Sequence, residues 1–364
     1  MSKLTRFIIG MVVVVLVVAG IWFYVARQDN SDSETIKIGA LYAQTGAAAK
    51  YGQISIQGVN DAVEYFKTKN PETKVELIVE DSQGDAKEAT IAATKLATVD
   101  RVNFSVVGTS AVSAAVAPIA DQYKKIFISD AALFGLTEGK KYIFQNFMPD
   151  FNKIPLQINA NSSWKKVAII YINDDLGNVW SKGVKASIDS SRSVELFSFE
   201  KGATDFKTDA LKLKNYNPDV VVFVGYGPAL NQVFADLELN KINKPYLTYL
   251  ACTLPGVLTD KKFSLEGQYS YEFPVIKDGE VKNWMVAKNR DLNSFYTIAF
   301  ENTLLVLEVA KESGNNVERG LEILKNKQQE GVFGTIDFRG KNYTNIDLVP
   351  TMIRGGKCVP LVNE

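Results

Sequence analysis

The sequence predicts an α/β fold of two similar lobes, each built on a parallel sheet covered by helices on both faces. Three observations carry that expectation. Short, β-branched apolar runs alternate with helix-period segments along the chain after residue 35, the pattern of parallel sheets. The alternation occurs twice: Val107-Gly108 and Val224-Gly225 each close a strand, and each leads through a loop into a helix. The chain has 364 residues, more than one hydrophobic core ordinarily serves.

Residues 7–26 read FIIGMVVVVLVVAGIWFYVA, without a charge. A run of about 20 apolar residues spans a hydrocarbon core. Lys3 and Arg6 precede it, while Arg27, Asp29, Asp32 and Glu34 follow, which leaves the N-terminus in the cytoplasm and the rest outside. Trp22, Phe23 and Tyr24 stand near the outer end as an aromatic anchor. Residues 1–27 are thus expected to be a membrane anchor or uncleaved signal. A cleaved signal peptide is the competing reading, against which Ala26 and Tyr24 make a poor cleavage site before Arg27. No cysteine lies nearby to be acylated. Residues 28–35 form a polar linker.

Strands are predicted at 36–41, 75–79, 104–107 and 126–129, then at 167–172, 194–199, 220–224 and 246–250. Each is apolar and bounded by Gly, Asn, Asp or Pro. Val59, Ala62, Val63 and Phe66 fall on one helix face, as do Tyr296, Phe300, Thr303, Leu304 and Leu307.

Composition excludes several function classes. The 41 basic and 41 acidic side chains cancel, unlike the basic excess of nucleic-acid binders. With no histidine there is no Ser-His-Asp or Cys-His nucleophile and no His-containing zinc site. Two cysteines cannot make a four-thiolate site. No catalytic constellation stands out, so no enzyme activity, cofactor or metal is expected.

Two motifs follow buried strands. Near the first, Gln44-Thr45-Gly46 and Tyr51-Gly52 make a glycine-containing turn that lacks both phosphate-loop patterns. In VVGTSAVSAAVAPIADQYKKIFISDAA, Ser110 and Ser113 open an Ala-rich helix. Serine hydroxyls and free amides at a helix start hold a carboxylate, although helix capping places serine there too. Asp174 and Asp175 suit a helix N-terminus better than a metal site. Lys124-Lys125 and Lys261-Lys262 are solvated faces.

Together with WKKVAIIYINDDLGNVWSKGVKASI, GATDFKTDALKLKNYNPDVVVFVGYG and FYTIAFENTLLVLEVAKESG, these blocks resemble the branched-chain amino-acid (leucine/isoleucine/valine) binding proteins of ABC transporters, which have the type I periplasmic binding-protein fold. The resemblance covers nearly all of residues 36–364. It implies two Rossmann-like lobes joined by three hinge crossings, closing on ligand like a clamshell. Lobe one is then 36–147 plus 275–335, lobe two 150–272 plus 337–364, with crossings near 147–151, 272–275 and 334–338. By the resemblance, Tyr51 lines the cleft. Ser113, or Ser110 under a different alignment, binds a ligand carboxylate, which the Ala131 backbone also holds. Tyr226 lies near the ligand's amino group. Cys252 and Cys358 both fall in lobe two, either as a disulfide or as two separate buried thiols.

The chain departs from the family pattern at three points. Leu133 stands where a threonine is usual, and Leu176 where a cleft tyrosine often stands. The stretch Tyr249-Leu250-Ala251 offers no acid for a ligand ammonium, which Asp130 or Asp175 would have to replace. The implied function is extracytoplasmic capture of a small molecule, an amino acid or a related carboxylate or amide, for delivery to an ABC permease. The alternative is a ligand-sensing ectodomain of the same fold.

Overall fold

The computed structural model describes residues 35–361 except Ala47 and Pro255. The expected anchor at 7–26 and the linker up to residue 34 lie outside the described residues. Among the described residues no helix is long and apolar enough to cross a membrane.

Strands β1 (Ile36–Tyr42), β2 (Val75–Asp81), β3 (Phe104–Val107), β4 (Ile126–Ser129) and β5 (Ile143–Pro149) alternate with helices α1 (Ala49–Lys69), α2 (Ala86–Thr98) and α3 (Ser110–Tyr123). The chain then crosses to a second unit. This comprises α4 (Lys153–Ala160), β6 (Lys166–Ile172), α5 (Asp175–Ser187), β7 (Ser193–Phe199), α6 (Lys207–Tyr216), β8 (Val220–Val224), α7 (Gly227–Leu239), β9 (Tyr246–Tyr249) and β10 (Tyr269–Glu272). It returns for α8 (Glu280–Ala287), α9 (Ser294–Ser313), α10 (Val317–Asn326), β11 (Gln328–Glu330), β12 (Thr335–Asp337) and β13 (Tyr343–Ile346), and ends on β14 (Val349–Arg354) and β15 (Lys357–Pro360).

The first sheet has the order β13-β5-β4-β3-β1-β2, and all its pairings are parallel. Every residue of β3, β4 and β5 is buried, as strands covered on both faces must be. The second sheet has the order β15-β14-β10-β9-β8-β6-β7. It is parallel from β7 to β10, whereas β14 runs antiparallel to β10 and to β15. The expected parallel sheet is therefore mixed at one edge. A hairpin needs no crossover helix. Gly355 and Gly356, both at positive φ, form its two-residue turn.

Lobe one is closed by α9, which packs along α1. Gly58 makes this approach feasible, since a Cβ there would press into the carbonyl oxygen of Tyr296. Alongside, Asp61 accepts two bonds from Arg290, at 2.6 and 3.0 Å, and one from the Tyr296 hydroxyl at 3.0 Å. The pair is mutually satisfied, as a buried carboxylate requires.

The three crossings gather around an apolar knot of Phe147, Ile276, Ile298, Val332, Phe333 and Ile346. Phe147 holds a φ of 116°, a region costly for a residue with a Cβ. Beside it Asn146 accepts from the Thr344 hydroxyl at 2.8 Å and donates to Asn302 at 2.8 Å and Glu301 at 3.3 Å. The third crossing comes later than the sequence suggests. Because β13 pairs with β5, the chain passes between sheets at 347–348, not 334–338. Residues 337–346 thus lie with lobe one. Cys252 and Cys358 are disulfide-bonded, tying the loop after β9 to β15 across a separation of 106 residues.

Candidate functional site: a cleft between the lobes

A cavity of about 240 Å³ lies between the lobes, at the carboxyl ends of strands from both sheets, where open α/β sheets bind ligands. Its lobe-one wall comes from three strand ends. Tyr42 is the last residue of β1, Gly108 and Thr109 follow β3, and Asp130 to Ala132 follow β4. Thr109 has a φ of 65°, strained for a β-branched residue. Its N–H donates to Asp130 Oδ1 at 2.9 Å. Helix α3 starts at the next residue, so Ser110 and Ala111, which line the cavity, carry first-turn amides with no intrahelical acceptor. Gly108 admits this packing. A Cβ there would press into the Tyr42 ring and stand 3.3 Å from Asp130 Oδ2.

Burial pushes the Asp130 carboxyl up to about 7, against the opposing effect of the Thr109 N–H and the neighbouring Tyr42 hydroxyl. The Tyr42 phenol is in turn raised well above its usual value, mainly by burial and then by Asp130. That hydroxyl lies against the Asp130 carboxyl, at the ends of β1 and β4.

The lobe-two wall is better satisfied. Asp174 caps α5 by accepting from Gly177 N–H at 2.9 Å. Its second oxygen accepts from the Tyr226 hydroxyl at 2.6 Å. Burial and this bond raise the Tyr226 phenol strongly. Asp175 and Lys201, both exposed, stand at the rim. The remaining lining is largely aromatic and aliphatic, with Ser55 and Ser294 among it. Tyr51 packs on Phe295 with ring centroids 4.9 Å apart, and Phe147, Phe273, Ile298, Trp180 and Tyr249 close the hinge side.

Of the expected site residues, Tyr51, Ser110, Ala131, Leu176 and Tyr226 line this cavity, and Ser113 and Leu133 do not. Ser113 is fully buried, its hydroxyl 2.8 Å from that of Ser129. The Ser129 hydroxyl also accepts the Ala131 N–H at 2.9 Å. The Ala131 and Leu133 carbonyls both accept from the Gln145 side chain. The Ala131 backbone is therefore already engaged within the protein. Sequence reasoning missed Tyr42, Thr109, Trp180, Phe273 and Phe295. The apolar strand pattern that ends on Tyr42 was its only local signal.

Cys252, Glu272 and Cys358 bring three ligand-type atoms within 4.8 Å. The two sulfurs are bonded to each other, so they offer no thiolate. Glu272 is occupied by Cys252 N–H, Thr253 and Ser270, and burial raises its carboxyl.

A family model described as periplasmic binding protein matches residues 35–350. The chain belongs to the periplasmic binding protein family. Among curated periplasmic binding proteins it is similar to the Leu/Ile/Val-binding protein of Escherichia coli strain K12, with 24% identity over 213 residues. That match covers 55% of this chain and 57% of the relative. Solved structures share the fold over more of the length. The isoleucine complex of the substrate-binding protein of a Streptococcus pneumoniae branched-chain amino acid transporter superposes with a TM-score of 0.78. It has 23% identity and covers 89% of this chain and 97% of that one. A leucine-binding protein from Thermotoga maritima gives 0.80 at 18% identity, covering 90% and 98%. An ABC transporter solute-binding protein from R. palustris bound to 4-hydroxybenzoate gives 0.77 at 19% identity, covering 91% and 96%. Periplasmic binding proteins of this kind bind substrates and are not enzymes.

Proposed function

We propose that this periplasmic binding protein captures a small molecule with a carboxylate or amide head and an apolar body, an amino acid or a related carboxylate or amide, and delivers it to an ABC permease. The observation that carries the reading is the cavity itself. Ser110 and Ala111, in the first turn of α3, line one wall, and aromatic rings, among them Tyr51, Trp180, Phe273 and Phe295, line much of the cavity elsewhere. A helix N-terminus stabilises an anion, and the rings bury an apolar body without demanding further polar partners. The E. coli relative and the isoleucine and 4-hydroxybenzoate complexes, all of acids with apolar bodies or proteins named for them, support this ligand class.

Capture proceeds by rotation at the three crossings around the Phe147 knot. Ligand docks on lobe one, and lobe two is drawn over it by whatever extra affinity the closed form has. The run at 7–26 holds the protein on the outer face of the cytoplasmic membrane, beside a permease. A thermal-shift screen of the full chain in mild detergent tests the reading, using amino acids, short carboxylates, amides, sugars and aromatic acids. A ligand at 100 times its Kd stabilises by about 2.7 kcal/mol. Shifts confined to carboxylates and amino acids, accompanied by compaction in small-angle scattering, are expected. A shift confined to sugars would overturn it.

A further inference from the structure

A buried carboxylate faces the disulfide of lobe two. Glu272 ends β10 and is 7% exposed. Its bonds come from neutral donors. Oε1 accepts from the Ser270 hydroxyl at 2.5 Å and from Cys252 N–H at 3.0 Å, and Oε2 accepts from the Thr253 hydroxyl at 2.8 Å. No lysine or arginine among the described residues pairs with it. A buried carboxylate ordinarily has a cation beside it. What stands beside this one is sulfur. Glu272 Oε1 lies 3.5 Å from Cys358 Sγ, and a carboxylate oxygen and both sulfurs lie within 4.8 Å of one another. They come from the loop after β9, the end of β10 and the edge strand β15, so the assembled sheet sets their spacing. Neither cysteine is buried, so ions and small reductants reach the pair.

We propose that, in the dithiol form of the protein, Cys252, Cys358 and Glu272 bind a zinc-like divalent cation. Every copy passes through that form, because thiols stay reduced where the chain is made and pair only where conditions oxidise. Two thiolates and a carboxylate are a borderline-soft set that suits zinc rather than magnesium or calcium. Sulfurs bound at about 2.3 Å in a tetrahedron stand about 3.8 Å apart. The two Cα atoms are 6.1 Å apart, so side-chain rotation opens the sulfurs that far with the strands in place. Ser270, Thr253 and Cys252 N–H already fix the carboxylate, as the outer partners of metal ligands do. The fourth position is left to water.

The metal supplies the positive charge that Glu272 lacks. It also ties the loop after β9 to β15, as the covalent bond does in the oxidised protein, and that loop carries Leu250 and Leu254 into the cleft wall. The proposal is independent of which ligand the cleft takes.

The test uses the full chain in mild detergent, reduced with a phosphine and desalted under argon. The phosphine gives two electrons to the S–S bond and leaves as its oxide with the oxygen of one water, whose two protons go to the sulfurs. A metal ion that binds then displaces those two protons. Cobalt(II) is the spectroscopic probe and zinc the competitor. The reduced protein should take one equivalent of cobalt, with the intense visible bands of a tetrahedral site and thiolate-to-cobalt charge transfer in the near ultraviolet. Zinc should displace it and raise the Tm of the reduced protein toward that of the oxidised one. Oxidised protein should show none of these bands. Glu272→Gln, which keeps the size of the side chain, should weaken zinc binding by on the order of 10–100-fold. The double variant Cys252→Ser with Cys358→Ser should lose the charge transfer. Weak octahedral cobalt bands in the reduced protein, zinc affinity unchanged in Glu272→Gln, or tetrahedral bands that survive in the oxidised protein would overturn the site. The cobalt spectrum of the reduced wild type decides the matter even if a variant fails to fold.

Discussion

Trp180 of α5 donates its indole N–H to the carbonyl oxygen of Ala132 at 2.6 Å, joining lobe two to lobe one beside the cavity. The ring is held at 81° to Tyr249 with centroids 5.4 Å apart, so the donor is aimed by packing. A bond of this kind contributes about 1 kcal/mol net. It exists only when the lobes stand as they do here. Trp180→Phe should therefore shift the free protein toward a more open form. Small-angle scattering should show a larger radius of gyration for the unliganded variant, with ligand affinity down by roughly five- to tenfold. An unchanged scattering curve would show that the bond does not bias the hinge.

Gly108 lies where β3 gives way to the cleft, against the Tyr42 ring and Asp130. Gly108→Ala must displace that ring, because the backbone of a central strand cannot move. The expected cost is about 1–3 kcal/mol of stability, typical of overpacking, together with loss of ligand binding. A denaturant melt and a binding titration measure the two separately. Wild-type affinity in this variant would remove Tyr42 from the site.

Glu301 lies at the hinge, where its carboxylate accepts from Val332 N–H at 2.5 Å and from Asn146 at 3.3 Å. Burial pushes its carboxyl up to about 7, with those hydrogen bonds opposing. A folded-state value above the unfolded one means that the ionised form opposes folding. That cost is present above pH 7 and is relieved as pH falls toward the unfolded value near ~4.3. Stability should therefore rise between pH 8 and pH 5 by at most ~3 kcal/mol from this group. Asp130, raised in the same direction, adds to the slope. Glu301→Gln should flatten it, as read by thermal melts across that range. A steeper slope in the variant would contradict the assignment.

The bond between Cys252 and Cys358 restrains a 106-residue separation. Cross-links over loops of this length stabilise by about 3–5 kcal/mol in chain-entropy terms. Neither cysteine lines the cavity. The double substitution Cys252→Ser with Cys358→Ser should lower Tm by roughly 5–15 °C while the folded variant still binds ligand. Equal melting with and without reductant in the wild type would show that the bond adds little.

Much of the framework is legible in local sequence. The strands expected at 104–107, 126–129 and 220–224 are found at those bounds, because buried parallel strands are short β-branched runs with clear punctuation. The strands that escaped are β5, β10, β11 and β12 and, with most consequence for the hinge, β13, β14 and β15. The burial of these last three alternates or is partial, so no continuous apolar run marks them. Their place depends on pairing with strands far away in the chain, and the third crossing moved with them.

The cleft divides along the same line. Tyr51, Ser110 and Tyr226 were legible as residues at strand ends and helix starts, where topology alone puts side chains toward the crevice. The choice between Ser110 and Ser113 was not. Only Ser110 of the two lines the cavity, because the Ser129 hydroxyl at the end of β4 donates to Ser113, buried beneath it, while accepting the Ala131 N–H. Likewise Tyr42, Gly108 and Asp130 end three different strands, and no spacing in the chain records that they touch. Periodicity and punctuation are properties of adjacent residues, so the sequence carries them openly. Which polar groups remain unpaired in a cleft depends on hydrogen bonds made between strands, and these exist only once the sheet is assembled.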